Sequence, residues 1–180
     1  MIICAGNSES FDFAQPIGIG LIESTINLTR LCLFDKPEFL LFIGSAGSYG
    51  ELEIFDIVES KTASNIELAF LSGDAYTPLD NVISTNTTNK KEIIVNSSNY
   101  ISTNKELTNK FLNLGVGIEN MEFFSVLSVA KEFDIPAGGV FCITNYTNET
   151  AHEDFLANHE KAKELLFIHV KKRIKELTQK

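Results

Sequence analysis

Residues 115–145, GVGIENMEFFSVLSVAKEFDIPAGGVFCITN, constrain this chain more than any other stretch. They read as a short strand over 116–118, a polar corner, a helix over 121–133, a tight turn and a second buried strand over 140–144. The helix carries Phe123, Phe124, Val126, Leu127, Val129, Ala130 and Phe133. Apolar residues on more than one side place it between layers. Pro136 and the pair Gly138-Gly139 stop it, and the apolar run that follows is strand-like. A strand–helix–strand unit of this length predicts a parallel pair with a right-handed crossover. Glu122 stands just past the first strand and Asn145 just past the second. Open parallel sheets bind ligands beyond the carboxyl ends of their strands, so the two side chains are expected in one crevice.

The rest of the chain sets outer limits. At 180 residues it suits a single domain, residues 1–180, burying roughly 70% of its unfolded surface. A net charge of −9 argues against nucleic acid as a partner, because phosphate neutralisation needs clustered Lys and Arg. The one basic cluster, Lys171, Lys172, Arg173 and Lys175, falls in the last helix, where it complements the helix dipole. Cys4, Cys32 and Cys142 form no C-x-x-C pair, and an odd count suits a reduced compartment. No basic, apolar leader opens the sequence, and no apolar run nears the ~20 residues of a membrane span. The expectation is a cytoplasmic protein with no membrane partner. His152, His159 and His169 make no metal-binding pattern, so no metal and no cofactor are expected.

Along the chain, residues 2–5 form a strand ending at Gly6, and a polar loop with Glu9 follows. Gly18-Ile19-Gly20 leads into a helix over 21–34. Residues 39–43 are an apolar run suited to a strand buried on both faces. It ends in Gly44-Ser45-Ala46-Gly47-Ser48-Tyr49-Gly50, read as a loop whose amides can face an anion or a sugar oxygen. Residues 54–59, 66–71 and 93–95 are strand-like. The Ser/Thr/Asn-rich residues 84–89 suggest a mobile connection. Asn104 caps a helix over 105–114, and a last helix starts at 151–155.

These motifs, in this order, resemble the nucleoside phosphorylase and nucleosidase family: Asn-Met-Glu-Phe at a helix start, Ile-Pro, then Cys-Ile-Thr-Asn, with Gly-x-Gly and Gly-Ser-Ala-Gly earlier. The resemblance implies a three-layer α/β/α domain with a mixed, largely parallel central sheet, and an assembly of identical subunits. It implies that Ser45, Ala46 and Gly47 line the phosphate–ribose side, and that Asn120, Met121 and Glu122 hold the ribose. Tyr100, with Ile101 beside it, stands where the family stacks an aromatic on the base. Gly6 and Glu9 in the first loop, and His152 with the flap after Asn145, are further candidates.

Cleaving an N-glycosidic bond needs charge stabilised on the sugar and relieved on the departing base. Glu122 suits the first task, since an ionised carboxylate accepts two hydroxyls. Asn145 suits the second. Where family members acting on 6-aminopurines have Asp, an amide donates and accepts but delivers no proton, which fits a 6-oxopurine edge. The expected function is therefore phosphorolysis of 6-oxopurine nucleosides, with Asn145 and Glu122 at the chemistry and phosphate as co-substrate. Hydrolysis by water is the alternative, and a non-catalytic nucleoside-binding or assembly protein is the third reading. Several positions depart from the family. Phe42 stands where some phosphorylases supply an arginine to phosphate, Phe141 where nucleosidases often have an arginine ahead of Ser-Asp, Phe55 replaces a glycine before Asp56, and the front half is short.

Overall fold

The computed structural model describes residues 1–85 and 92–178; the positions 86–89 read as a mobile connection lie outside the described residues. In chain order the elements are β1 (Ile2–Cys4), β2 (Gln15–Pro16), α1 (Gly20–Asp35), β3 (Leu40–Ser48), β4 (Ile57–Ser60), β5 (Thr62–Ser64) and α2 (Leu68–Ser72). They continue with β6 (Val82–Ser84), β7 (Ile94–Asn96), α3 (Lys105–Asn113), β8 (Val116–Glu119), α4 (Phe123–Glu132), β9 (Ala137–Tyr146) and α5 (Ala151–Thr178).

The strands form one mixed, largely parallel sheet with helices on both faces. Alternation along the central strands explains the layering. Leu40 and Phe42 of β3, with Phe141 and Ile143 of β9, join Val126, Leu127 and Ala130 of α4 and Leu28 of α1 in one core. Ile43, Val140 and Cys142 point the other way, onto Ala162, Leu166 and Val170 of α5. The central stretches 40–43 and 140–143 are therefore apolar without interruption, as segments buried on two faces must be.

Several expectations are corrected. β8 and β9 are not a parallel pair: both pair with β3, β9 in parallel and β8 antiparallel. The glycine-rich run after residue 43 is not a loop, because β3 continues to Ser48 along β9, with a register shift at Ala46/Gly47. Gly138 and Gly139 lie in β9, and the turn before it is made by Asp134, at φ 53°, with Ile135 and Pro136. A Cβ on Gly139 would fall 2.6 Å from the Phe141 ring and 2.7 Å from that of Phe123, so glycine there makes room for the aromatic core. The apolar residues near 68–72 form the short helix α2, and the strand expected over 54–59 is β4, starting at Ile57. Ahead of it Phe55 sits at φ 75°, a conformation that suits the glycine it replaces.

Candidate active site

β3 has two edges. β9 pairs with one over the whole strand, so β1 at Leu41 and Phe42 and β8 at Gly47 and Ser48 must share the other. Between them, at residues 44–46, no strand pairs with that edge among the described residues. Side chains take the place of the ladder. The Ser45 amide donates to Glu9 Oε1 at 2.8 Å, and the Ser45 carbonyl accepts from Asn120 Nδ2 at 3.1 Å. The gap opens a cleft of about 220 Å³. All twelve candidate residues line it: Gly6, Glu9, Ser45, Ala46, Gly47, Tyr100, Ile101, Asn120, Met121, Glu122, Asn145 and His152.

Asn120 sets the entry to α4. Its Oδ1 accepts the Glu122 and Phe123 amides at 2.9 and 3.0 Å, satisfying donors that a helix start leaves free. That is why the helix begins at Phe123 rather than at the expected Met121. Both ends of the Asn120 amide are thus engaged within the protein. The turn it fixes aims Glu122 at a second helix start, where Glu122 Oε1 accepts the Gly20 amide at 2.9 Å and Asn99 Oδ1 accepts the next, Leu21, at 2.8 Å. The Glu122 side chain is buried, and burial pushes its carboxyl up to about 7; the Gly20 bond opposes this and the charge of Glu9 adds to it.

Gly47 lies opposite both Glu119 and Asn145 in the sheet register. A Cβ there would fall 3.0 Å from Asn145 Nδ2 and 3.3 Å from Glu119 Cγ, so the absence of a side chain lets both groups approach the cleft floor. Asn145 is buried, and its Oδ1 accepts from Thr144 Oγ1 at 2.9 Å. Glu119 accepts from the Ser102 amide and the Tyr49 hydroxyl, each at 2.9 Å. Burial raises its carboxyl above the ordinary range against the pull of a bond from the Ser102 hydroxyl and of the Ser102 amide and Tyr49 bonds.

Tyr100 and Ile101 stand at the rim, 76% and 48% exposed, so the tyrosine ring is open to solvent rather than buried against core. Across from them His152 and Phe155, one turn apart at the start of α5, stack at 6.4 Å between centroids. Sequence reasoning missed Ser8, Ile19, Ser98, Glu119, Ala151 and Phe155 among the lining residues. Glu119 carried a signal, a carboxylate ending a strand one residue before Asn-Met-Glu, and Phe155 stands at i+3 from His152.

The sheet is split at one strand edge, and carboxylates and an amide gather in the split. Comparison with known proteins bears out the resemblance to the nucleoside phosphorylase and nucleosidase family. Residues 93–175, which hold Glu119, Glu122 and Asn145, match the model of the phosphorylase superfamily. The futalosine hydrolase of Helicobacter pylori is similar at TM-score 0.80 and 19% identity, over 97% of this chain and 96% of that one. A 5'-methylthioadenosine/S-adenosylhomocysteine nucleosidase of the same organism gives 0.77 and 20%, covering 91% of this chain and 79% of that one. The corresponding Neisseria meningitidis enzyme gives 0.73 and 12%, over 92% and 93%. At such identities the likeness is one of fold. No curated protein sequence matches the chain. The short length is not peculiar to this chain, since the futalosine hydrolase is covered almost end to end. These neighbours are named as nucleosidases and a hydrolase.

Proposed function

We propose that the protein is a nucleosidase, hydrolysing the N-glycosidic bond of a purine nucleoside. The observation that carries this reading is the charge of the cleft. Among the described residues its lining carries the carboxylates of Glu9, Glu119 and Glu122 and one histidine, with no lysine or arginine. Arg30 is exposed on α1, and Arg173 pairs with Glu59 and Glu176 on α5. A phosphate would meet repulsion of about 3 kcal/mol per unit charge pair at about 5 Å near a protein surface. The Ser45 amide, the one most suited to an anion, already serves Glu9. Water carries no such penalty, and the same carboxylates favour the positive charge that develops on the sugar.

In this reading Glu9, held by one oxygen, takes the proton of the attacking water with the other. Glu122 accepts ribose hydroxyls, with Met121 against the sugar, and Tyr100 covers the base. Asn145, oriented by Thr144, hydrogen-bonds the departing base, which takes a proton from solvent as its bond to the sugar breaks. The reading is tested by following base release in phosphate-free buffer and at millimolar phosphate, with the sugar product identified. Free ribose at an unchanged rate supports it; ribose 1-phosphate sinks it.

Self-association fits the surface. Ile22 and Ile26 of α1 are exposed and border a groove with Asn65 and Phe124; a second groove, with Phe70, Tyr76 and Leu79, shares those two residues. One continuous apolar face results, of the kind that marks a protein interface, and we propose that a second copy covers it.

A further inference from the structure

Helix α5 has two faces. Ala162, Leu166 and Val170 are buried against Ile43, Val140 and Cys142 of the sheet. The opposite side carries Glu160, Glu164, Phe167, Ile168, Lys171 and Lys175, every one of them exposed. At about 100° per residue the six fall within an arc of about 100°, which makes them a single stripe. They follow one another at intervals of four, three, one, three and four residues, the same from either end, while the charge reverses. Two glutamates stand on one side of the Phe167–Ile168 pair and two lysines on the other. Phe167 and Ile168 are 38% and 62% exposed, an apolar centre between the charges. Lys171 Nζ lies 4.3 Å over the Phe167 ring, which keeps that charge on the stripe. Arg173 points elsewhere, to Glu59 of β4 at 3.1 Å. Complementing the helix dipole asks only for basic residues near the C-terminus; it does not ask that they line up with glutamates two turns away.

We propose that this stripe pairs with the same stripe of a second copy, the two α5 helices antiparallel about a two-fold axis between Phe167 and Ile168. That axis sets Phe167 against Ile168 of the partner subunit, Glu164 against Lys171 of the partner subunit and Glu160 against Lys175 of the partner subunit, each contact occurring twice. An isologous contact needs a self-complementary surface, and a stripe whose charges reverse about its own midpoint is one. Parallel pairing would set glutamate against glutamate and lysine against lysine, so the same residues also reject the wrong orientation. Glu160 meets Lys163 of its own helix at 3.7 Å, which makes the outer pairs the weaker ones. One helix face is small beside the roughly 1,200 Å² of a stable interface, and exposed ion pairs are screened by salt. The contact is therefore open in dilute protein at ordinary salt and closes at roughly hundreds of micromolar when the salt is low. It lies on α5, apart from the apolar face over α1, and joins whatever assembly that face supports in pairs.

The test is sedimentation of the full chain at about 0.3 mM, in about 20 mM and then about 0.5 M sodium chloride. The mass at low salt should be twice that at high salt. In Glu160→Lys with Glu164→Lys, and separately in Lys171→Glu with Lys175→Glu, the doubling should vanish, the dissociation constant rising by about tenfold or more. An equimolar mixture of the two variants, one stripe wholly basic and the other wholly acidic, should recover it. All four positions are exposed, so neither variant disturbs the core. A wild type whose mass ignores salt overturns the proposal, and so does a mixture that stays dissociated. Loss in the lysine variant with none in the glutamate variant overturns it too, because the lysines would then be meeting an acidic surface elsewhere. No substrate enters the measurement, so its outcome is independent of the nucleosidase reading.

Discussion

Glu122 combines a functional demand with a cost to the fold. Its carboxyl titrates near 7 rather than at its ordinary 4.5 because burial disfavours the charge. Between those two pH values the folded state binds the extra proton, so stability falls as pH rises through the window and is lowest above 7. Glu122→Gln keeps an acceptor for the Gly20 amide and removes the charge. It is therefore expected to be more stable than the wild type at pH 8, by about 1–3 kcal/mol, with the difference gone near pH 4; thermal melts at both pH values check this. The same variant should lose nearly all base release, and wild-type activity should fall as pH drops through 7. Gly47 is the other sensitive residue. In Gly47→Ala the new methyl would press on Asn145, Glu119 and Thr147 together. Activity should drop much further than stability, which is expected to fall by about 1–3 kcal/mol in denaturant titrations.

At the scale of elements, two helix starts meet at the cleft, and side chains from elsewhere in the chain hold both. Asn120→Ala removes the acceptor for two amides of α4 and the donor to Ser45. A loss of about 1–2 kcal/mol is expected, measurable in urea, with kcat falling because Glu122 loses its aim. How much of this could be read beforehand depends on range. The α4 stripe, the Asn104 cap and the convergence of Glu122 and Asn145 follow from local pattern and from the direction of strands. Neighbour relations do not: residues 116–119 and 137–146 are joined by a helix, yet β3, seventy residues earlier by rough count, lies between them. The run Gly44-Ser45-Ala46-Gly47 looked like a turn because its residues favour turns. Its pairing with β9 holds it as strand, which only tertiary structure reveals. Glu119 escaped notice for the same reason, since its importance comes from facing Gly47 across the sheet.

Over the whole molecule, the site exists because the sheet is incomplete along one edge of its central strand. Glu9, Asn120 and the α1 start fill that opening from three separate parts of the chain, so it is built only when the complete sheet forms. The apolar face over α1 and the Tyr76–Leu79 segment lies on the same molecule, and Ile19, Tyr100 and Ile101 at the cleft rim are exposed as well. Under the proposed self-association, sedimentation is expected to find the wild type as a dimer and the Ile22→Asp, Ile26→Asp double variant as a folded monomer. Among the described residues no helix is long and apolar enough to cross a membrane.

The most direct test of the central claim is hydrolysis in oxygen-18 water. Base release from inosine would be run without phosphate and then with it, and the sugar examined by mass spectrometry. The account requires ribose carrying the heavy oxygen, formed at the same rate in both buffers and abolished in Glu9→Gln. Release that depends on phosphate and yields unlabelled ribose 1-phosphate would contradict it.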